Sequence, residues 1–384
     1  MRIALGSTER HEETKVPRIQ QTYEPQNRES IGWSVRQACR GSSLLASAAF
    51  VALIDAASPA AALTFTNIFE NSWTADNPNS VAATNAITAV ESEYSADFAN
   101  PVNVTIQFGF GDFNGSPIPA NALGVTGFPT TSFPPPFGPA SNETSLATVE
   151  SLLTTHSAAN PQNTALATAV THLPASYPNP GGATYFFVPD AQYLALTGSP
   201  PPDGDTIDAF IGFARLAGTG NGYDYTGGTP SASNFDFQSV AEHEIAHAMA
   251  RVEAAFLSGV AGGAPPFLTS LDFYRYTCGT GTLNPDFVKS CFSIDGGATD
   301  LQMFDNISDS SDWACSPPAI GNDPYNACAD PGVKYTVSSV DITEMNALGW
   351  DPPKAVTATP EPGTLVLLGS AVLGFAALRR RRPT

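Results

Sequence analysis

Basic residues are scarce in this chain: 17 Lys and Arg stand against 36 Asp and Glu in 384 residues. The shortage is sharper than the totals suggest, because seven of the basic residues precede residue 63 and four more form the run Arg379 to Arg382. Between residues 63 and 362, 6 basic and 30 acidic residues leave a net charge of −24. Such a surface repels nucleic acid phosphates and anionic lipid, which excludes both as partners of this region. Cysteine is also sparse, with five residues and no Cys-x-x-Cys spacing, which argues against a four-cysteine zinc site. No internal repeat is evident. Gly and Pro together number 65, which favours a loop-rich fold over a helical bundle. Only five histidines are present, so any site built on imidazole has few candidates.

What is present begins with the two ends. Arg36 and Arg40 precede the apolar stretch Leu44 to Ile54, and Ala60-Ala61-Ala62 follows. Charged, apolar and small residues in that order predict a secretory signal peptide over residues 1–62, with a long polar leader. The run is too short for a membrane span and is closed by Asp55. At the other end, within a linker and tail over 353–384, Pro360-Glu361-Pro362 is followed by sixteen mostly apolar positions, Gly363 to Leu378, and then by four arginines. This tripartite tail resembles the PEP-CTERM sorting signal of Gram-negative bacteria. The resemblance implies an exosortase-type sorting enzyme as partner, transient membrane contact through the tail, and a secreted or cell-surface destination.

Between the ends, Ile87, Val90, Tyr94 and Phe98 recur at helical spacing over 79–98, and Val102 to Phe108 alternates as a half-buried strand. Gly115 to Pro139 reads as a surface loop, 143–155 as a helix, Thr184 to Val188 as a strand, and Ala191 to Leu196 as a helix. Asp208 to Ala214 is a further strand, Gly218 to Ser233 a connector, and Phe235 to Glu253 the central helix. Asp203-Gly204-Asp205 lacks the full spacing of a calcium loop and reads as a solvated acidic turn. With Cys39 in the leader, Cys278, Cys291, Cys315 and Cys328 remain, an even number in an exported chain. That count predicts two disulfides, and the two local pairings, each 13 positions apart, are favoured.

The chemistry-bearing motif is His243-Glu244-Ile245-Ala246-His247. A helix places the two imidazoles on one face, one turn apart, as two nitrogen ligands of a tetrahedral zinc require. Glu244 projects beside the metal without being forced to ligate it, and there it can serve as the general base that takes a proton from water. His11 lies in the leader, while His156 and His172 lie in segments that read as surface helix or loop. A third ligand is therefore expected to be a carboxylate, with Asp312, Glu253 and Asp272 as candidates. Arg251 and Tyr274-Arg275-Tyr276 read as a salt bridge and aromatic packing.

His243 to Ala250 resembles the metzincin helix, most of all that of leishmanolysin-like peptidases. Residues 63–352 as a whole are similar to a group of bacterial PEP-CTERM metallopeptidases, through the helix, Leu271 to Tyr276, Phe292 to Gly297 and Ala347 to Asp351. In the leishmanolysin type the third ligand precedes a tryptophan, and the matching position here is Asp312, before Trp313. The pattern differs at two places: Ala250 stands where metzincins carry glycine, and Asn326 to Pro331 occupies the stretch where a methionine turn is expected. The resemblance implies an α+β, zincin-like catalytic domain with a twisted sheet and an active-site helix. Its N-terminal part would span 63–254, and a smaller, loop-rich, disulfide-bearing part would span 255–352. The implied activity is zinc-dependent endopeptidase cleavage of a protein or peptide substrate, with Zn2+ held by His243, His247 and Asp312 and with Glu244 as catalytic base. A non-catalytic extracellular matrix or adhesion protein with a degenerate or structural metal site is the alternative.

Overall fold

The computed structural model describes residues 62–119, 121–129, 143–177, 185–216, 220–253, 267–284, 289–315 and 321–354. All of them belong to one compact unit spanning residues 59–355. The predicted signal segment and the PEP-CTERM tail lie outside the described residues, apart from their inner ends. Among the described residues no helix is long and apolar enough to cross a membrane.

The fold is α+β. Its N-terminal half starts with β1 (Thr64–Phe69), α1 (Asn71–Ala75), α2 (Ser80–Asp97), β2 (Asn103–Phe110), the hairpin of β3 (Asp112–Phe113) and β4 (Ser116–Pro117), and β5 (Gly124–Gly127). It continues with β6 (Glu143–Thr144), α3 (Leu146–Ala159), α4 (Thr164–Val170), β7 (Tyr185–Phe187), α5 (Asp190–Thr197) and β8 (Ala209–Phe213). The short parallel pair β9 (Gly222–Asp224) and β10 (Asn234–Asp236) then leads into α6 (Phe237–Ala248). The main sheet has the order β1-β2-β8-β5, with the first three strands parallel and β5 antiparallel at the edge.

Helix α2 forms where the spacing of Ile87, Val90 and Tyr94 predicted it, and those side chains are buried. Strand β2 follows the predicted alternation, with Val104, Ile106 and Phe108 buried between half-exposed neighbours. Trp73 lies between Phe108, Phe110 and Phe213, and so ties α1 to the sheet. Helix α6 packs on α2 and on the β5 and β8 end of the sheet. Its residues are nearly all buried, because one side faces the core and the other faces the C-terminal segments rather than solvent.

Four sequence expectations are corrected. The stretch Gly115 to Pro139 is not all loop, since it contains β5; glycine at both ends of that strand hides its β character. The connector Gly218 to Ser233 likewise contains β9. The central helix ends at Ala248 instead of Glu253, because Ala250 takes a left-handed φ of 83°. His156 is not on the surface: it is buried and lies 3.0 Å from Asp351, a residue far along the chain.

The C-terminal half is built from short pieces. They are β11 (Phe267–Leu268), a 3-10 turn (Ser270–Tyr274), β12 (Arg275–Thr277), β13 (Thr282–Leu283), β14 (Ser290–Phe292), β15 (Gln302–Met303) and α7 (Ser339–Ala347). Strands β13-β12-β14-β15 form a small antiparallel sheet. The favoured disulfides, Cys278–Cys291 and Cys315–Cys328, are both formed. Trp313 is fully buried at the junction, in β-bridges to Phe304 and Asn326, and its indole donates to Asp341 Oδ1 (2.7 Å). Asp341 and Ser338 make a capping box that starts α7, a helix the sequence reading missed. The fully buried Trp350 donates from its indole to Met249 O (2.8 Å), at the end of α6.

Candidate metal centre

The geometry of the site follows from how α6 ends. Ala250 N–H donates to His247 O and Arg251 N–H to Ala246 O, the two bonds of a Schellman motif with Ala250 in its left-handed position. The chain therefore folds back under the last turn, and Arg251 lies beneath His247 instead of continuing along the helix axis.

His243 and His247 face each other with their Nε2 atoms 2.9 Å apart. Asp312 Oδ1 lies 3.3 Å from His243 Nε2 and 3.2 Å from His247 Nε2. All three side chains are buried. On the far side of each ring, Nδ1 contacts a backbone carbonyl: Pro324 O for His243 (2.7 Å) and Arg251 O for His247 (2.5 Å). A carbonyl can only accept, so each Nδ1 carries the proton and each Nε2 turns a lone pair toward the centre. Burial holds the His243 pKa well below its ordinary value despite the pull of Asp312, which keeps that ring neutral.

Three acceptor atoms thus converge with no proton of their own between them, and the Arg251 guanidinium approaches two of them from one side. Tetrahedral ligands at zinc bond lengths of about 2.0–2.1 Å lie about 3.3 Å apart, close to the edges of this triangle. The donor set, two neutral imidazoles and a carboxylate, suits zinc. Buried oxygens around the triangle have no hydrogen-bond partner: Asp312 Oδ2, Asp309 Oδ2 and Glu244 Oε1. The residues therefore fit the metal that the motif implies.

The other two carboxylates proposed from sequence are not brought to this point. Glu253 is buried in a pair with Arg275. Asp272 accepts from Thr269 N–H (2.6 Å) in the capping box of the 3-10 turn. His172 is exposed, and the Asp203-Gly204-Asp205 turn is half-exposed, with Asp205 N–H donating to Asp203 Oδ1 (3.0 Å).

Glu244 is fully buried against β5. The Thr126 hydroxyl donates to its Oε2 (2.6 Å), and a methyl group on Gly124 would sit 2.6 Å from its Oε1. Burial pushes the Glu244 carboxyl well above the usual carboxylate range, opposed by the Thr126 hydrogen bond. Sequence reasoning missed Thr126 and Gly124, because both lie in what reads as a Pro/Gly-rich loop. It also missed Asp309, whose Oδ2 is 3.9 Å from His247 Nε2; the signal was a second aspartate three positions before Asp312. Beside His243 a cavity of about 340 Å3 is lined by Leu123, Asp236, Val240, Pro324 and Tyr335.

Comparison with known families finds one match, to the PEP-CTERM protein-sorting motif over residues 358–382. The chain carries this exosortase-recognised signal. That signal marks an extracellular or cell-surface protein, as the tail's tripartite pattern led us to expect. No curated protein and no solved structure matches the chain.

Proposed function

We propose that the protein is a secreted zinc-dependent endopeptidase of a Gram-negative bacterium, with a zincin-like catalytic domain of the metzincin type. The observation that carries this reading is the triangle of His243 Nε2, His247 Nε2 and Asp312 Oδ1, with Glu244, whose Oε1 has no hydrogen-bond partner, on the same helix as the two histidines. The zincin-like assignment draws support from the position of α6 against β5, the antiparallel edge strand, whose direction would let an extended peptide lie along the site.

When bound, zinc supplies Lewis acidity toward a carbonyl oxygen and brings the pKa of a water ligand near neutrality. The chain's own residues do the rest. Glu244, oriented by Thr126 at Oε2, would in its ionised form take a proton from water at Oε1 and pass it to the departing amine. The backbone carbonyls of Pro324 and Arg251 fix the tautomers of the two histidines. The cavity beside His243 offers room for one substrate side chain.

A second reading, a non-catalytic matrix or adhesion protein with a degenerate or structural metal site, is favoured by one contact: Arg251 Nη2 lies 3.1 Å from His247 Nε2. A structural metal has no use for a buried glutamate with a free oxygen, which is why the first reading is preferred. Casein cleavage by the purified protein, with and without chelator, and by Glu244→Gln, separates the two. Cleavage that survives both treatments would sink the peptidase reading.

A further inference from the structure

Arg251 is fully buried beside the three candidate ligand atoms, and both terminal nitrogens of its guanidinium are engaged there. Nη1 donates to Asp312 Oδ1 (3.1 Å) and to Ser311 O (2.8 Å), while Nη2 lies 3.1 Å from His247 Nε2. The guanidinium carbon also stacks over the Tyr325 ring, 4.3 Å from its centroid. Arg251 thus touches two of the three atoms that would hold a metal. It reaches them because the Schellman turn at Ala250 folds it under its own helix.

Charge makes the contact consequential. A dication held by two neutral imidazoles and one carboxylate forms a centre of net charge +1, whereas three imidazoles leave +2. A guanidinium bonded to the same carboxylate oxygen cancels the carboxylate and restores +2. We propose that Arg251 is the resident counter-cation of the metal centre: it holds Asp312 Oδ1 and His247 Nε2 together before metal arrives, then shares Asp312 Oδ1 with the metal and keeps the centre as electron-poor as a three-histidine site. Arg251 is a positioning residue that acts through Asp312, and the inference rests on the zinc reading given above.

A cost in metal affinity follows, since a dication must enter beside a fixed positive charge in a dry site. Removing that charge would loosen Asp312 only if Arg251 alone held it. The segment is anchored independently, by Asp305 N–H to Asp312 O (2.6 Å) and by the two bridges of Trp313. The charge effect therefore outweighs the loss of positioning.

The test is the zinc affinity of the metal-free full-length protein, measured by competition with a chromophoric chelator, for wild type, Arg251→Met and Arg251→Lys. Arg251→Met should bind zinc roughly tenfold or more tightly, and zinc should raise its melting temperature by more than it raises that of wild type. Arg251→Lys keeps the charge and should stay near the wild-type affinity. Equal or weaker zinc binding by a folded Arg251→Met protein overturns the proposal, because a merely structural arginine gives that result. If Arg251→Met does not fold, Arg251→Gln takes its place with the same expected direction. A wild-type protein that takes up no zinc overturns the metal reading itself, and the counter-cation role with it.

Discussion

The Asp312–Arg251 pair gives the most quantitative test of the site, with Asp312→Asn as the perturbation. Both side chains are fully buried, and the substitution keeps the shape while removing the charge that faces the guanidinium at 3.1 Å. Leaving a buried charge without its partner costs about 3–5 kcal/mol. One further residue decides where in that range the value falls. Glu344 is fully buried, its two oxygens have no hydrogen-bond partner, and burial raises its pKa well above the carboxylate range. Burial alone would lower the Arg251 pKa, but Asp312 and then Glu344 outweigh it and raise it. Without Asp312, Glu344 can ionise and take over part of the compensation. The loss should then lie at the lower end, about 3 kcal/mol, which is roughly 5–10 °C in melting temperature for a unit of this size.

The assay is thermal unfolding followed by circular dichroism in the presence of chelator, so that metal does not contribute. Zinc content by elemental analysis is measured in parallel. Glu253→Gln and Asp272→Asn are the controls: the first removes the buried negative charge beside Arg275 and the second weakens a capping box, so both also destabilise. Only Asp312→Asn should lose zinc. If metal-free Asp312→Asn melts within about 2 °C of wild type, the pair is not the buried, mutually dependent one described, and the argument fails.

Three further outcomes are expected. Burial pushes Glu91, Asp208 and Asp341 up to about 7, 6 and 8, the last with help from Asp323. These folded-state values lie above the unfolded ones, so their stabilisation is full below about pH 4 and lost as pH rises to about 8; a melting temperature of the metal-free protein that rises over this window refutes the assignment. Gly124→Ala should place its methyl against Glu244 Oε1 and lower the cleavage rate at least roughly tenfold while zinc stays bound, since catalytic geometry tolerates little displacement; unchanged cleavage would show that Glu244 is not held there. Removing either disulfide should cost about 3 kcal/mol, but only Cys315→Ser with Cys328→Ser should also weaken zinc binding, because that bridge closes the loop carrying Pro324 and Tyr325; equal zinc affinity in both double variants counts against the coupling.

Legibility of the fold tracked how far each residue's role was decided by its near neighbours. Helix α2 and strand β2 were readable because one face of each meets the core, so burial imposes a period on the sequence. Strand β5 was not, for a specific reason. Its two glycines are required by side chains pressing from elsewhere, Glu244 on Gly124 and Phe113 on Gly127, and a strand thinned in this way looks like a loop. Helix α7 carried a signal in Ser338 and Asp341 that the sequence reading passed over.

The site divides along the same line. His243, Glu244 and His247 share one helix, so their spacing alone placed them together. Asp312 was narrowed to a choice of three by counting histidines and by resemblance, and its position beside both rings depends on Trp313 locking a distant loop against Asn326. Arg251 was the least readable. Alanine is the best helix former, so nothing local marks Ala250 as the residue that leaves the helix. What holds it in the left-handed turn is tertiary: Trp350 donates to Met249 O, and the buried contacts of Arg251 reward the reversal. The departure from glycine at position 250 and the arginine beneath the histidines are therefore one feature, since the turn that Ala250 is forced to make is what delivers a cation to Asp312.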